Sequence, residues 1–190
     1  MGGAPKGLSI VGGQRILDRL IDLSREAFGS PPLLVTDLPD ARSWTSGPLR
    51  IAPDRRPGAA TLGALYTAVL EAPAPVVVVA WDLPFLTTGL LVGLAEGLAQ
   101  ADVFLPESGS RHGVEPLCAA YGPAVAGPME DAIGRGDLRA IAFHDRVRVG
   151  ILSLEEVANF GNPAELFLNV NTPEDLERAR TIAAARAREA

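Results

Sequence analysis

Four consecutive valines, Val76–Val79, run on through Ala80 and Trp81 and stop at Asp82. No other feature constrains the fold as tightly. A β-branched apolar run without a polar face makes a strand that must be covered on both sides. Such strands belong to parallel sheets with helices packed on each face. The rest of the chain alternates accordingly. Residues 15–28 place Ile16, Leu17, Leu20, Ile21, Leu23 and Ala27 at helical spacing, and Gly29 with two prolines stops that helix. Further helices are expected over residues 61–70, 86–99, 124–135 and 173–188. Strands are expected over residues 33–36, 49–52, 76–81, 103–105, 116–120, 147–152 and 167–171, whereas 138–143 is ambiguous. The last helix is well signalled, with Thr172 at N-cap, Pro173 at N1 and Asp175 in a capping-box position. The expected class is α/β, three layers, with a mainly parallel sheet and helices on both faces. The 190 residues, without repeat or long linker, are expected to form one domain.

Composition narrows the function. Basic residues number 17 and acidic residues 23, a net charge of −6, which argues against a nucleic-acid binder that works through bulk charge. The single cysteine, Cys118, excludes an internal disulfide framework and a cysteine-based zinc site. Within a strand it reads as a small buried apolar group. The longest apolar stretch, residues 72–81, holds two prolines and falls far short of the ~20 residues of a bilayer span. No basic segment followed by an apolar one opens the sequence, so a cytoplasmic location without membrane contact is expected. His112 and His144 lie far apart, without carboxylates in a metal-ligand spacing, and read as surface or loop residues. Neither a nucleophile-elbow serine nor a Walker A sequence is present.

In open α/β sheets ligands bind at the carboxyl ends of strands. Asp37, Asp54 and Asp82 all fall there. Asp82 is the sharpest candidate: it is placed either to hold Mg²⁺ together with substrate phosphates or to cap the next helix. Asp54 opens D-R-R-P-G ahead of a helix, either an anion-binding turn or an ordinary connection. Asn169 and Asn171 are two of only four asparagines and, in a strand, would face the same way into one site, or else serve the turn before the final helix, which suits Asn171 better than Asn169. Lys6 is the one lysine beside 16 arginines, set among glycines. That position fits a phosphate contact that wants a compact point charge, or else a terminal tail.

Taken in order, these pieces resemble the molybdenum-cofactor guanylyltransferase family, a branch of the nucleotidyltransferases with a Rossmann-like fold. Its opening signature runs roughly L-A-G-G-x-S-x-R-M-G-G-x-x-K-G-L, and residues 1–8, M-G-G-A-P-K-G-L, match the second half. Residues 11–17 resemble its next segment, G-x-P-L-L in many members. Residues 54–58 resemble its D-x-x-P-G turn. Residues 80–86, A-W-D-L-P-F-L, resemble C-D-x-P-F-L, with Trp81 in place of the cysteine. Glu115, Pro116 and Leu117, and residues 167–176, resemble later motifs. The half-signature L-A-G-G-x-S-x-R has no counterpart, and Met1 coincides with the internal methionine. The native polypeptide is therefore expected to start upstream, with a first strand and the rest of the Gly-rich loop.

The resemblance implies transfer of GMP from GTP to molybdopterin bearing molybdenum, with release of pyrophosphate. The alternatives are a CTP-dependent or sugar-phosphate nucleotidyltransferase and a silent nucleotide-binding module. It further implies that Gly2, Gly3, Lys6, Asp37, Asp54 and Asp82 bind the nucleotide. Lys6 and Asp82 would be the catalytic pair, with Mg²⁺ on Asp82 and the departing pyrophosphate on Lys6. Asn169, Asn171 and Glu115 would position phosphates or the acceptor. Molybdoenzymes or their insertion chaperones are the implied recipients of the product.

Overall fold

The computed structural model describes residues 5–189 apart from Ser46, Pro73 and Arg111. A short antiparallel hairpin, β1 (Ile10–Val11) and β2 (Gln14–Arg15), leads into helix α1 (Ile16–Phe28). One face of α1 buries Ile16, Leu17, Leu20 and Ile21, as their spacing predicts. The helix ends at Gly29, whose φ of 68° is left-handed and turns its N–H onto the Arg25 carbonyl. Strands β3 (Leu33–Val35) and β4 (Arg50–Ala52) then pair in parallel as a small sheet of their own. Leu34 and Ile51 seat that sheet against Leu17, Ile21 and Trp44.

The main sheet has four strands: β5 (Val76–Val79), β6 (Val103–Pro106), β7 (Cys118–Tyr121) and β8 (Val149–Leu152), in the spatial order β5-β7-β6-β8. β5, β6 and β8 run one way, and β7 runs against them between β5 and β6. Helices cover both faces, so the strands need apolar residues on both, and alternation divides them between two cores. Cys118, Ala120, Val77 and Val79 pack toward α1 and α3 (Thr88–Gly97). Ala119, Tyr121, Val76 and Val78 pack toward α2 (Ala60–Glu71) and α4 (Ala126–Gly134). The valine run is thus covered from both sides.

The chain finishes with α5 (Leu154–Ala158), α6 (Pro163–Leu166) and α7 (Pro173–Glu189). Thr172 caps α7 as expected: its hydroxyl accepts the Asp175 N–H, and the Asp175 carboxylate accepts the Thr172 N–H. The expected strand over residues 167–171 is not formed. Asn162 caps the short helix α6, with Pro163 at N1, and residues 168–170 follow outside any ladder. The buried Leu168 and Val170 that mimic strand alternation point into the core beside α3 and α7. His144 is also not a surface group. It is half-buried, edge-on to the Phe143 ring at 4.9 Å, with Nε2 enclosed, and burial lowers its pKa.

Candidate active site

The carboxyl end of β5 delivers Asp82. Leu83, Phe85 and Leu86 directly beyond it are buried, so the turn carrying Asp82 is anchored on both sides. Its Oδ1 is buried and has no hydrogen-bond partner among the described residues. Burial raises the carboxyl pKa above the ordinary value, while its own backbone N–H and the Lys6 ammonium pull it down. A buried carboxylate oxygen without a donor is costly for structure alone, and it suits a ligand to a hard cation.

Lys6 reaches the same place from the other end of the sequence. It opens a short turn, Lys6–Leu8, in which Gly7 lies against the Trp81 ring and carbonyl. The Lys6 ammonium donates to Asn171 Oδ1. Asn171 is itself fixed, because its backbone N–H donates to the Asp175 carboxylate at 3.1 Å. One residue earlier, the Val170 N–H donates to the Asp82 carbonyl at 2.9 Å. Asn169 is half-buried, donates to the Phe167 carbonyl at 3.3 Å, and lines the same cavity as Asp82 and Glu115. Lys6, Asp82, Asn169 and Asn171 therefore meet, with Glu115 on the cavity wall.

Asp37 and Asp54 form a second group beyond β3 and β4. Asp37 Oδ1 accepts the Asp54 N–H at 3.0 Å. Asp54 Oδ1 accepts the Arg56 N–H and the Thr67 hydroxyl, each at 2.9 Å, and Thr67 accepts the Arg55 N–H at 2.9 Å. These carboxylates shape the turn before α2. No hydrogen bond joins them to Lys6 or Asp82 among the described residues. The two arginines of the turn are also engaged, Arg55 with Glu71 and Arg56 with Glu130. Gly2 and Gly3 lie outside the described residues.

Sequence reasoning missed three contributors. Thr67 is fully buried and holds Asp54, and its signal was a threonine set in the apolar stripe of Leu62, Leu65 and Val69. Gly63 lets α2 approach the turn: a Cβ there would come within 2.8 Å of the Arg56 carbonyl oxygen. Trp44 packs on Trp81 with ring centroids 5.4 Å apart and planes tilted by 37°, and links the small sheet to the Asp82 turn, a pairing no local pattern announces. Cys118 is fully buried and its thiol pKa is pushed up by burial, as befits an inert core residue.

Residues 1–149 match the family described as MobA-like NTP transferase domain. The chain belongs to that family. This MobA-like chain is accordingly an enzyme, a nucleotidyltransferase. It is 29% identical over 182 residues to a "Probable molybdenum cofactor guanylyltransferase" of Pelotomaculum thermopropionicum, covering 95% of this chain and 86% of that protein. In structure it is similar to molybdopterin-guanine dinucleotide biosynthesis protein A of Archaeoglobus fulgidus, with a TM-score of 0.79 and 24% identity. That match covers 96% of this chain and 92% of the other. A Mycobacterium tuberculosis protein solved as a complex with manganese matches with a TM-score of 0.63 at 18% identity, covering 94% and 93%. The likeness to these solved structures confirms the Rossmann-like α/β fold. No helix among the described residues is long and apolar enough to cross a membrane.

Proposed function

We propose that this nucleotidyltransferase transfers GMP from GTP to molybdopterin bearing molybdenum and releases pyrophosphate. The relatives that carry the guanylyltransferase name support the choice of substrates. The observation that carries the chemistry is the buried Oδ1 of Asp82, which has no hydrogen-bond partner among the described residues and feels the Lys6 ammonium.

An oxygen of the acceptor's terminal phosphate attacks the α-phosphorus of GTP. A new P–O bond forms, the bond from the α-phosphorus to the bridging oxygen breaks, and pyrophosphate leaves with that electron pair. The attacking phosphate is already anionic near neutral pH, so the step needs no general base. Catalysis then rests on positioning and on neutralising charge. Asp82 would hold Mg²⁺ together with phosphate oxygens, and the ion supplies charge neutralisation at the phosphates. Lys6, steadied by Asn171, meets the departing pyrophosphate as a point charge. Asn169 and Glu115, along the cavity wall, orient the acceptor. Asp37 and Asp54 hold the turn that opens α2 on the nucleotide side.

Pyrophosphate release by the full chain, given molybdopterin with GTP, CTP or ATP and Mg²⁺, tests this reading. Release with GTP alone is expected. Preference for CTP, or no release with any nucleotide, would overturn it.

A further inference from the structure

Trp81 stands directly before Asp82, and its half-buried side chain meets the Lys6 turn. Gly7, itself buried, lies flat against it. A Cβ on Gly7 would come within 3.2 Å of both the ring atom Cε3 and the Trp81 carbonyl oxygen. Gly7 does not adopt a left-handed φ, so this glycine answers to lack of space and not to backbone conformation.

The ring has little room to retreat from Gly7. Trp44 packs on it with centroids 5.4 Å apart, and Trp44 is itself buried in the cluster of Leu17, Ile21 and Ala41. Close-packed interiors transmit a displacement instead of absorbing it. The cysteine that the resembling motif carries at this place is too small to span from Gly7 to Trp44.

The turn that rests on the ring is closed by its own backbone. The Leu8 N–H donates to the Pro5 carbonyl at 3.0 Å, and the Ser9 N–H donates to the Lys6 carbonyl at 2.9 Å. Leu8 packs on the same cluster as the two tryptophans. Two neighbouring residues, Gly7 and Leu8, thus seat the turn, and Lys6 is the residue ahead of them. Its stem is flexible, so the placement of its backbone decides what the ammonium reaches. The contact with Asn171 is exposed, and contacts of that kind hold a side chain only weakly. The ring that seats Lys6 and the carboxylate that Lys6 attends are adjacent residues.

We propose that Trp81 is a positioning residue: its ring, held by Trp44 and pressed on Gly7, fixes where the Lys6 ammonium stands relative to Asp82, and so where it meets pyrophosphate. The inference rests on the role given to Lys6 above, and adds the residue through which Lys6 is placed.

Titration calorimetry of the full chain with inorganic pyrophosphate and Mg²⁺ tests this, alongside pyrophosphate release from GTP and molybdopterin. Trp81→Cys and Lys6→Met should each weaken pyrophosphate binding about tenfold or more, and the double variant should bind no worse than Lys6→Met alone. Trp81→Phe, which keeps an aromatic face, should recover most of the loss. Gly7→Ala lifts the turn from an intact ring and should weaken binding as Trp81→Cys does, which tests the same contact if Trp81→Cys does not fold. Parent-like binding in Gly7→Ala and Trp81→Cys would overturn the proposal. So would a Trp81→Cys loss that persists in full on the Lys6→Met background, because Trp81 would then act by general loosening. Binding that is absent in the parent, or indifferent to Lys6→Met, would overturn it as well. The GMP-transfer reading fails separately: no release with any nucleotide, beside Lys6-dependent pyrophosphate binding, would remove that reading and leave the Trp81 result standing.

Discussion

The backbone N–H of Val170 donates to the carbonyl oxygen of Asp82 across 2.9 Å. This contact fastens the segment ahead of the last helix to the residue that ends the valine strand. Asn169 and Asn171 flank the contact, and Asn171 accepts from Lys6 near the start of the chain. The candidate site is thus assembled from the beginning, middle and end of the sequence, held by a backbone bond at its centre.

Asp82 sets function against stability. Burial holds its carboxyl pKa above the ordinary value. The folded state keeps a proton in a pH window where the unfolded chain has lost it. Stability is therefore highest below the unfolded-state pKa and declines as pH rises through the folded-state pKa. An asparagine carries no such charge. Asp82→Asn should match the parent Tm in acid and exceed it at neutral pH, while metal-dependent turnover falls about 100-fold or more. Thermal unfolding across that pH range, run alongside pyrophosphate release, checks both halves. A Tm difference independent of pH would contradict the first, and near-normal turnover the second.

Lys6 should act on rate and not on folding. Its contact with Asn171 is exposed, and such contacts contribute about 0–1 kcal/mol. Arginine keeps the charge but spreads it over a larger planar group. Lys6→Arg is expected to reduce turnover about tenfold, a barrier change of roughly 1.4 kcal/mol, and Lys6→Met further. Urea midpoints for both should stay close to the parent's. Parent-like turnover in Lys6→Met would exclude Lys6 from the reaction.

Much of this was legible in the sequence, for identifiable reasons. The valine run and the α1 stripe are local patterns, and both formed where expected. Asp82 was legible because it directly follows such a strand. Residues 167–171 misled because burial of Leu168 and Val170 imitates strand alternation, while the backbone there pairs with a turn. The links Lys6–Asn171 and Trp44–Trp81 are tertiary, and no periodicity encodes them. Asp37 and Asp54 were found as acidic residues at strand ends, but their work within the Arg55–Arg56 turn depends on Thr67 from the facing helix.

Thr67 gives a clean test of that turn. Its hydroxyl is fully buried, donates toward Asp54 and accepts the Arg55 N–H. Valine has nearly the same shape and neither hydrogen-bonding capacity. Thr67→Val should cost about 1–3 kcal/mol by leaving the part-buried Arg55 N–H and a carboxylate oxygen of Asp54 short of a partner. Thr67→Ser keeps the hydroxyl and loses only a methyl, about 0.5–1.5 kcal/mol on the scale of Ile→Val changes. Urea unfolding with unchanged m values would measure both. A serine variant weaker than the valine variant would mean that packing, not hydrogen bonding, holds the turn.

Ala60 sits where the same turn enters α2, at a φ of 49°. Left-handed backbone costs an L-residue with a Cβ roughly 1–2 kcal/mol, and glycine avoids that cost. Glycine also frees the unfolded chain, which offsets about 0.4–1 kcal/mol of the gain. Ala60→Gly should therefore stabilise the protein by about 0.5 kcal/mol or more, although glycine within a regular helix is destabilising. A β-branched residue tolerates this conformation least, so Ala60→Val should destabilise. Chemical denaturation of the pair gives the sign directly. Destabilisation by glycine would show that Ala60 adopts ordinary helical backbone in solution, and that α2 begins one residue earlier than the turn implies.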